Sequence, residues 1–202
     1  MHIAEGVLSA PILFAGGAAC AAGLAVGLKR LPTDRLDTVA IFSATFFIAS
    51  LIHVPVGPSS VHLLLNGLIG LILGWAAFPA IFIGLLLQAI LFQFGGLTVL
   101  GCNTVNMALP AVLFGMAARP FLTKGKAIQL TAGFLCGVLS VFGAALLTAL
   151  CMFFTDEGFL TAAKLLFISE IPISVVEGLV TMLTAAFLMK VDPGLLLGRS
   201  GK

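Results

Sequence analysis

The chain has 202 residues, of which 60% are apolar and only 9% are charged, and its mean hydropathy is +1.22. A soluble domain carries roughly 25% charged residues, and a disordered chain lacks the apolar surface needed to collapse, so both classes are excluded. The net charge of +2 is too small and too dispersed to indicate a nucleic-acid partner.

One uncharged stretch predicts a membrane protein. No Asp, Glu, Lys or Arg occurs from residue 38 to residue 118, which is 81 residues, whereas a single membrane-spanning helix needs only about 20 apolar residues. This stretch must therefore cross a bilayer several times. The sequence predicts an all-α integral membrane protein that forms a single polytopic domain over residues 1–202.

Seven apolar segments are predicted to cross the bilayer. Lys29 and Arg30 end the first segment, and a Pro- and Gly-rich stretch at 55–58 ends the second. The segment 159–167 is too short to span and is expected to lie at the membrane interface. In chain order, the predicted spans are 6–28, 38–52, 61–74, 80–94, 104–118, 127–154 and 171–189.

Basic residues segregate to one side of this seven-span arrangement. Nine of the ten Lys and Arg residues lie in 29–37, 119–126 and the tail from 190, whereas Lys164 alone lies on the other side. With six or eight spans, the basic residues would be distributed over both sides of the membrane. Since basic loops stay in the cytoplasm, we expect the N-terminus outside and the C-terminus inside, in a bacterial or archaeal cytoplasmic membrane.

All three histidines fall on the predicted outer face. His2 is the penultimate residue, His53 ends the second span and His62 begins the third. A lone histidine at a membrane surface is usually an interfacial side chain, but three on one face also indicate a metal site. Imidazole nitrogen suits Co, Ni, Cu and Zn.

His2 allows a more specific hypothesis. A bulky second residue is expected to block removal of Met1, whose α-amine then joins the amide and Nδ1 of His2 in a five- and a six-membered chelate ring. A fourth nitrogen from His62 would complete a planar set that suits Ni(II), Cu(II) or low-spin Co(II). His53 is the competing candidate for this fourth position. The alternative is that the N-terminal segment is merely a short polar tail.

Three segments carry a family resemblance. MHIAEG at the start, VPVGPSSVHLLLNGLIG at 54–70 and FGGLTVLGCNTVNMALP at 94–110 together resemble the CbiM/NikM family. Members of that family are the substrate-capture membrane subunits of energy-coupling-factor cobalt and nickel importers. The resemblance implies seven spans with the N-terminus outside, an N-terminal loop at 1–6 that plugs the bundle, and metal ligands at Met1, His2 and His62.

Two asparagines and one glutamate are further candidates. Asn103 and Asn106 lie in the third motif, and their amides could orient the metal-binding histidines through hydrogen bonds. Asn103 could equally cap the fifth predicted helix. Glu177 is ionisable at membrane depth, and we expect it either to pair with a polar group inside the bundle or to attract cations.

The expected function is capture of Co²⁺ or Ni²⁺ as transported substrate, with no resident cofactor and no enzymatic activity. The chain has no GxxxxGK[ST] loop. The resemblance therefore implies ATPase subunits, a transmembrane coupling (T) subunit and a small accessory membrane subunit as partners. One alternative is a stand-alone divalent-cation carrier, which would need acids on several helices. Another is a membrane-embedded metalloenzyme, for which the HExxH pair is absent.

Overall fold

The structure is a computed structural model that describes residues 3–51, 53–56 and 59–197, with the main chain alone at 53–56, 59–62 and 163. Within these residues the chain forms eight α-helices and a two-stranded antiparallel hairpin. The helices are α1 (Ala10–Lys29), α2 (Leu36–Ala49), α3 (Asn66–Leu73), α4 (Ala77–Phe92), α5 (Leu100–Ala118), α6 (Lys126–Thr155), α7 (Leu160–Val191) and α8 (Pro193–Leu197), and the strands are β1 (His53–Val56) and β2 (Ser59–His62).

Five described stretches are long and apolar enough to cross a membrane, which agrees with the predicted helical multi-pass class. They are Ala10–Lys29, Asn66–Phe92, Leu100–Phe121, Lys126–Thr155 and Glu157–Val191. The α2 helix has 14 residues and α3 has eight, and eight helical residues extend only about 12 Å, less than half of the bilayer hydrocarbon. The number of seven spans therefore stays a prediction.

The predicted third span, 61–74, is wrong over its first residues. Strand β2 extends to His62, whose main chain pairs with that of His53, and the helix begins only at Asn66. Leu65, just before the helix, has a left-handed φ of 54°. The predicted all-α class is confirmed, since the rest of the regular structure in the described residues is helical; the short hairpin was not predicted, because hydropathy alone does not distinguish a short apolar strand from a helix.

The last helix is longer than predicted. α7 runs without interruption from Leu160 to Val191 and contains Pro172. The segment 159–167, which we expected as a separate interfacial piece, is therefore largely the first part of this helix. The sequence did not predict one continuous helix here, because charged residues such as Lys164 and Glu170 interrupt the apolar pattern from which the span was predicted.

Helix α3 lies in the centre of the bundle. All eight of its residues are buried, and glycines allow it to contact the backbones of α5 and α6 directly. A Cβ atom at Gly70 would overlap the carbonyl of Ala111, and one at Gly115 would overlap Gly70. On the other side, a Cβ at Gly67 would lie 2.8 Å from the Cα of Gly137.

The bundle has two chemically different ends. Arg35 donates to the carbonyls of Gly194 and Leu195, and Arg119 donates to those of α3. We call residues 29–35, 74–76 and 119 together with α8 the basic end. Residues 3–9, 93–99 and 155 form the opposite end, where the amide of Ser9 donates to Thr155 Oγ1. Among the described residues, the structure brings one part of each predicted basic segment to this end, namely Arg30 and Arg35, Arg119, and α8, and the assignment of that end to the cytoplasm stays a prediction.

The glycine contacts of α3 lead to a stability prediction. Gly70→Ala should lower the free energy of unfolding by about 2–3 kcal/mol, because the new methyl forces α3 away from α5. Gly17→Ala is the matched control, since a Cβ there meets nothing within 4 Å. Thermal unfolding in detergent measures both variants, and equal melting temperatures would contradict the packing described.

Candidate metal site

The structure does not describe the side chains of the predicted metal ligands. Met1 and His2 lie outside the described residues, and for His53 and His62 only the main chain is described. The hairpin register places His53 directly opposite His62, so the main chain brings both candidates for the fourth ligand to one place. Among the described residues, no group of three or more His, Cys, Asp or Glu is arranged to hold a metal ion.

Asn103 holds the residue that follows His2. The amide of Ile3 donates to Asn103 Oδ1 at 3.1 Å, and Asn103 Nδ2 donates back to the carbonyl of Ile3 at 3.1 Å. This side chain, only 4% exposed, therefore pairs with the main chain as a neighbouring strand would. The alternative helix-capping role is wrong, because α5 already begins at Leu100 and its N-cap position is Val99.

Glu5 provides a second attachment for the N-terminal segment. Its amide donates to the carbonyl of Gly95 at 3.0 Å, and its Oε1 accepts from the amide of Thr98 at 3.1 Å. Gly96 has a φ of +137°, and a Cβ there would lie 2.5 Å from Glu5 Cγ. Glycine is needed at this position both for the backbone conformation and for the close approach of the glutamate.

Apolar contacts complete the docking of this segment. Ile3 and Leu8 are buried together with Val99 and Cys102 at the beginning of α5. Sequence reasoning missed the roles of Glu5 and Ile3. Glu5 is the only acidic residue before Asp34, and this isolation was a signal that it has a specific partner.

Glu177 fixes the chain just after the hairpin. The side chain is fully buried, and its Oε1 accepts hydrogen bonds from the amides of Leu64 and Leu65, the latter at 2.7 Å. These amides lie at the start of α3, where helix N–H groups lack partners within the helix. The predicted pairing of Glu177 inside the bundle is thus confirmed, and its partner is the main chain two residues after His62.

Glycines bring Glu177 to this position. A Cβ at Gly137 of α6 would lie 2.5 Å from the carbonyl oxygen of Glu177, so α6 and α7 are in backbone contact here. Gly67 of α3 packs against Gly137 from the other side. Helices α3, α6 and α7 therefore meet close to the point where the carboxylate of Glu177 accepts hydrogen bonds from the amides at the start of α3.

Asn106 bonds to α6. Its Nδ2 donates to Thr148 Oγ1 at 3.3 Å, and its Oδ1 accepts from Cys151 Sγ at 3.7 Å. An amide NH₂ group carries two hydrogens, and the Thr148 bond uses one of them. The predicted role of Asn106 toward the metal-binding histidines stays a prediction.

Comparison with known proteins identifies the family. The family described as the cobalt uptake substrate-specific transmembrane region, CbiM, matches residues 2–195. The chain is 46% identical over 196 residues to a Haemophilus influenzae protein assigned to metal transport, covering 96% of this chain and 95% of that protein. It is 31% identical over 214 residues to the cobalt transport protein CbiM of Kyrpidia tusciae, with coverage of 97% and 86%.

A nickel protein and two solved structures are also similar. The fused nickel transport protein NikMN of Rhodobacter capsulatus is 35% identical over 134 residues, covering 63% of this chain and 39% of that protein. A crystal structure of a transition metal transporter superposes with a TM-score of 0.81 at 29% identity, covering 96% of this chain and 94% of that one. A truncated transition metal transporter gives 0.80 at 28% identity, with coverage of 95% and 99%. The chain therefore belongs to the CbiM family of substrate-specific membrane proteins for cobalt and nickel uptake, which are transporters and not enzymes.

Proposed function

We propose that this protein captures extracytoplasmic Co²⁺ or Ni²⁺ as the substrate-specific subunit of an energy-coupling-factor importer. The observation that carries the proposal is the docking of residues 3–8 at the start of α5 through Asn103 and Glu5. A segment attached so firmly just after His2 is suited to hold the first two residues in a defined place. The similarity to relatives known as cobalt and nickel transport proteins supports the same cargo.

The proposed ligands are the α-amine of Met1, the amide and Nδ1 of His2, and an imidazole nitrogen of His62, with His53 as the alternative fourth ligand. All are nitrogen donors, which suit divalent nickel and cobalt. Support comes from the two attachments that flank this set, one at Ile3 by Asn103 and one at Leu64 by Glu177. A ligand set spread over distant parts of the chain needs such preorganisation to bind tightly.

ATP hydrolysis would come from partner subunits. The sequence has no phosphate-binding loop of the GxxxxGK[ST] type. We propose that ATPase subunits act through a transmembrane coupling (T) subunit, with a small accessory membrane subunit as a further partner. The metal ion is cargo and not a resident cofactor. The basic end would face the cytoplasm and the N-terminus the exterior, as the distribution of Lys and Arg favours.

The proposed role of the Met1 α-amine as a metal ligand can be tested by lengthening the N-terminus by one residue. One residue added before Met1, or His2→Ala, should abolish cobalt and nickel uptake by cells that express the whole complex, because either change breaks the chelate. One residue added after Lys202 is the matched control and should leave uptake intact. Uptake of radioactive ⁵⁷Co and ⁶³Ni measures all three. Full uptake by the N-terminally extended protein would contradict the ligand set.

Metal affinity should also depend on pH. The amine, the amide and both imidazoles must lose protons to bind metal, and their competition with protons strengthens as pH falls through the reference pKa values of about 7.7–8.0 for the amine and about 6.5 for histidine. We expect the affinity for Ni²⁺ to fall by more than about a hundredfold from about pH 7.5 to about pH 5.5. Calorimetric titration at several pH values measures this, and a constant affinity would exclude these ligands.

Glu177 should contribute to affinity by holding the segment after His62. Glu177→Ala leaves the amides of Leu64 and Leu65 without their acceptor, which costs about 1–3 kcal/mol for each buried group. We expect a loss of thermal stability and at least roughly tenfold weaker Ni²⁺ binding, with a smaller effect for Glu177→Gln, which keeps an acceptor oxygen.

Thr181→Val is the matched control for this series. Thr181 lies one turn further along α7, is also fully buried, and its hydroxyl has no hydrogen-bond partner in the described part of the chain. Its replacement should leave both Ni²⁺ affinity and stability nearly unchanged. Unchanged Ni²⁺ affinity in a folded Glu177→Ala protein would show that the carboxylate does not position a ligand.

A further inference from the structure

A cavity of about 240 Å³ opens at the basic end of the bundle, at the opposite end of α3 from the amides that Glu177 holds. Three arginines, Arg30, Arg35 and Arg119, line it together with Trp75. They come from three separate parts of the chain: the end of α1, the turn before α2, and the end of α5. The proposed metal capture uses none of them.

Arg119 is held against the end of α3. Its Nε donates to the carbonyl of Leu71 at 2.8 Å and its Nη2 to that of Ile72 at 2.9 Å. These carbonyls form the partially negative C-terminus of the helix. Gly74 follows with a φ of +57°, and a Cβ there would lie 3.2 Å from Arg119 Nη2. The turn between α3 and α4 thus leaves room for the guanidinium at the cavity wall.

Arg35 and Arg30 are also held by uncharged groups, a pair of backbone carbonyls and an aromatic ring. Arg35 Nη2 donates to the carbonyls of Gly194 and Leu195, both at 3.3 Å. The Arg30 guanidinium lies over the ring of Trp75, with Cζ 5.4 Å from the ring centroid. Each side chain is therefore oriented by neutral groups, and its positive charge is not neutralised by them.

The cavity consequently concentrates positive charge. No Asp or Glu is among its lining residues, and none of the three arginines forms an ion pair with a described carboxylate. Arg35 and Arg119 are partly buried, and burial of charge without an opposite charge is unfavourable. Each guanidinium has five N–H donors in a planar fork that matches phosphate oxygens, and the contacts above leave several of them unused.

We propose that this cavity binds the phosphate group of an anionic ligand, and that the headgroup of an anionic phospholipid is its natural source. Trp75 is typical of the membrane–water interface, and Leu31, Val39, Leu73 and Met116 make the rest of the wall largely apolar, as suits a lipid. Basic pockets between membrane helices bind lipid headgroups in this way. The ligand would link the α1–α2 connection, the α3–α4 turn and the end of α5.

The test compares two double variants that remove equal charge from the same end of the bundle. Arg30→Gln with Arg35→Gln removes charge from the cavity and leaves Arg119 on α3. Lys124→Gln with Lys126→Gln is the control, because neither lysine lines the cavity. Full-length proteins in nanodiscs of phosphatidylglycerol and phosphatidylcholine are delipidated stepwise, and native mass spectrometry counts the retained phosphatidylglycerol. Thermal unfolding verifies that all variants are folded.

We expect the wild-type protein and the lysine variant to retain one phosphatidylglycerol, and the arginine variant to retain it roughly tenfold less tightly, since a basic residue near a membrane contributes measurably to anionic lipid binding. A second arm titrates inorganic phosphate into protein in pure phosphatidylcholine. Arginine-dependent phosphate binding without lipid retention would support the same chemistry with a soluble anion.

Two results would overturn the proposal. One is equal loss of lipid in the arginine and lysine variants, which indicates a general surface effect. The other is the absence of both lipid and phosphate binding by the folded wild-type protein.

Discussion

The backbone contact of α3 with α5 and α6 is the constraint on which the rest of the structure depends. Gly70 and Gly115 remove the side chains that would separate α3 from α5, and Gly67 and Gly137 do the same for α6. A helix of eight residues, too short to span a bilayer, is thereby buried on all sides. Its first turn then needs an internal acceptor for its free amides, and Glu177 of α7 supplies it.

The candidate site follows from this arrangement. Glu177 attaches the chain just after His62, and Asn103 attaches the chain just after His2. Two segments that are distant in sequence are therefore fixed independently, each by a buried polar side chain on a long helix. Rigid elements of this kind hold metal ligands more accurately than free loops do. The proposed capture of cobalt or nickel depends on both attachments.

The two ends of the bundle have separate chemistry. The end with the docked N-terminal segment carries the proposed nitrogen ligands, whereas the other gathers Arg30, Arg35 and Arg119 around a cavity. Arg119 connects this cavity to the centre, because it caps the C-terminus of α3 while Glu177 caps the N-terminus. A single short helix thus links the proposed metal site to the proposed anion site.

The sequence by itself determined the membrane class, the approximate positions of the long helices and the family, because these depend on apolar length and short motifs that are local in the chain. It also indicated Asn103 and Glu177 as special, since buried polar residues in apolar segments need partners. Only the tertiary structure decided that their partners are the main chain at Ile3 and at Leu64. It alone also decided that residues 59–62 form a strand and that α7 is continuous from Leu160. The contacts of Asn103 with Ile3 and of Glu177 with Leu64 join residues 100 and 113 positions apart, and no local pattern of hydropathy contains that information.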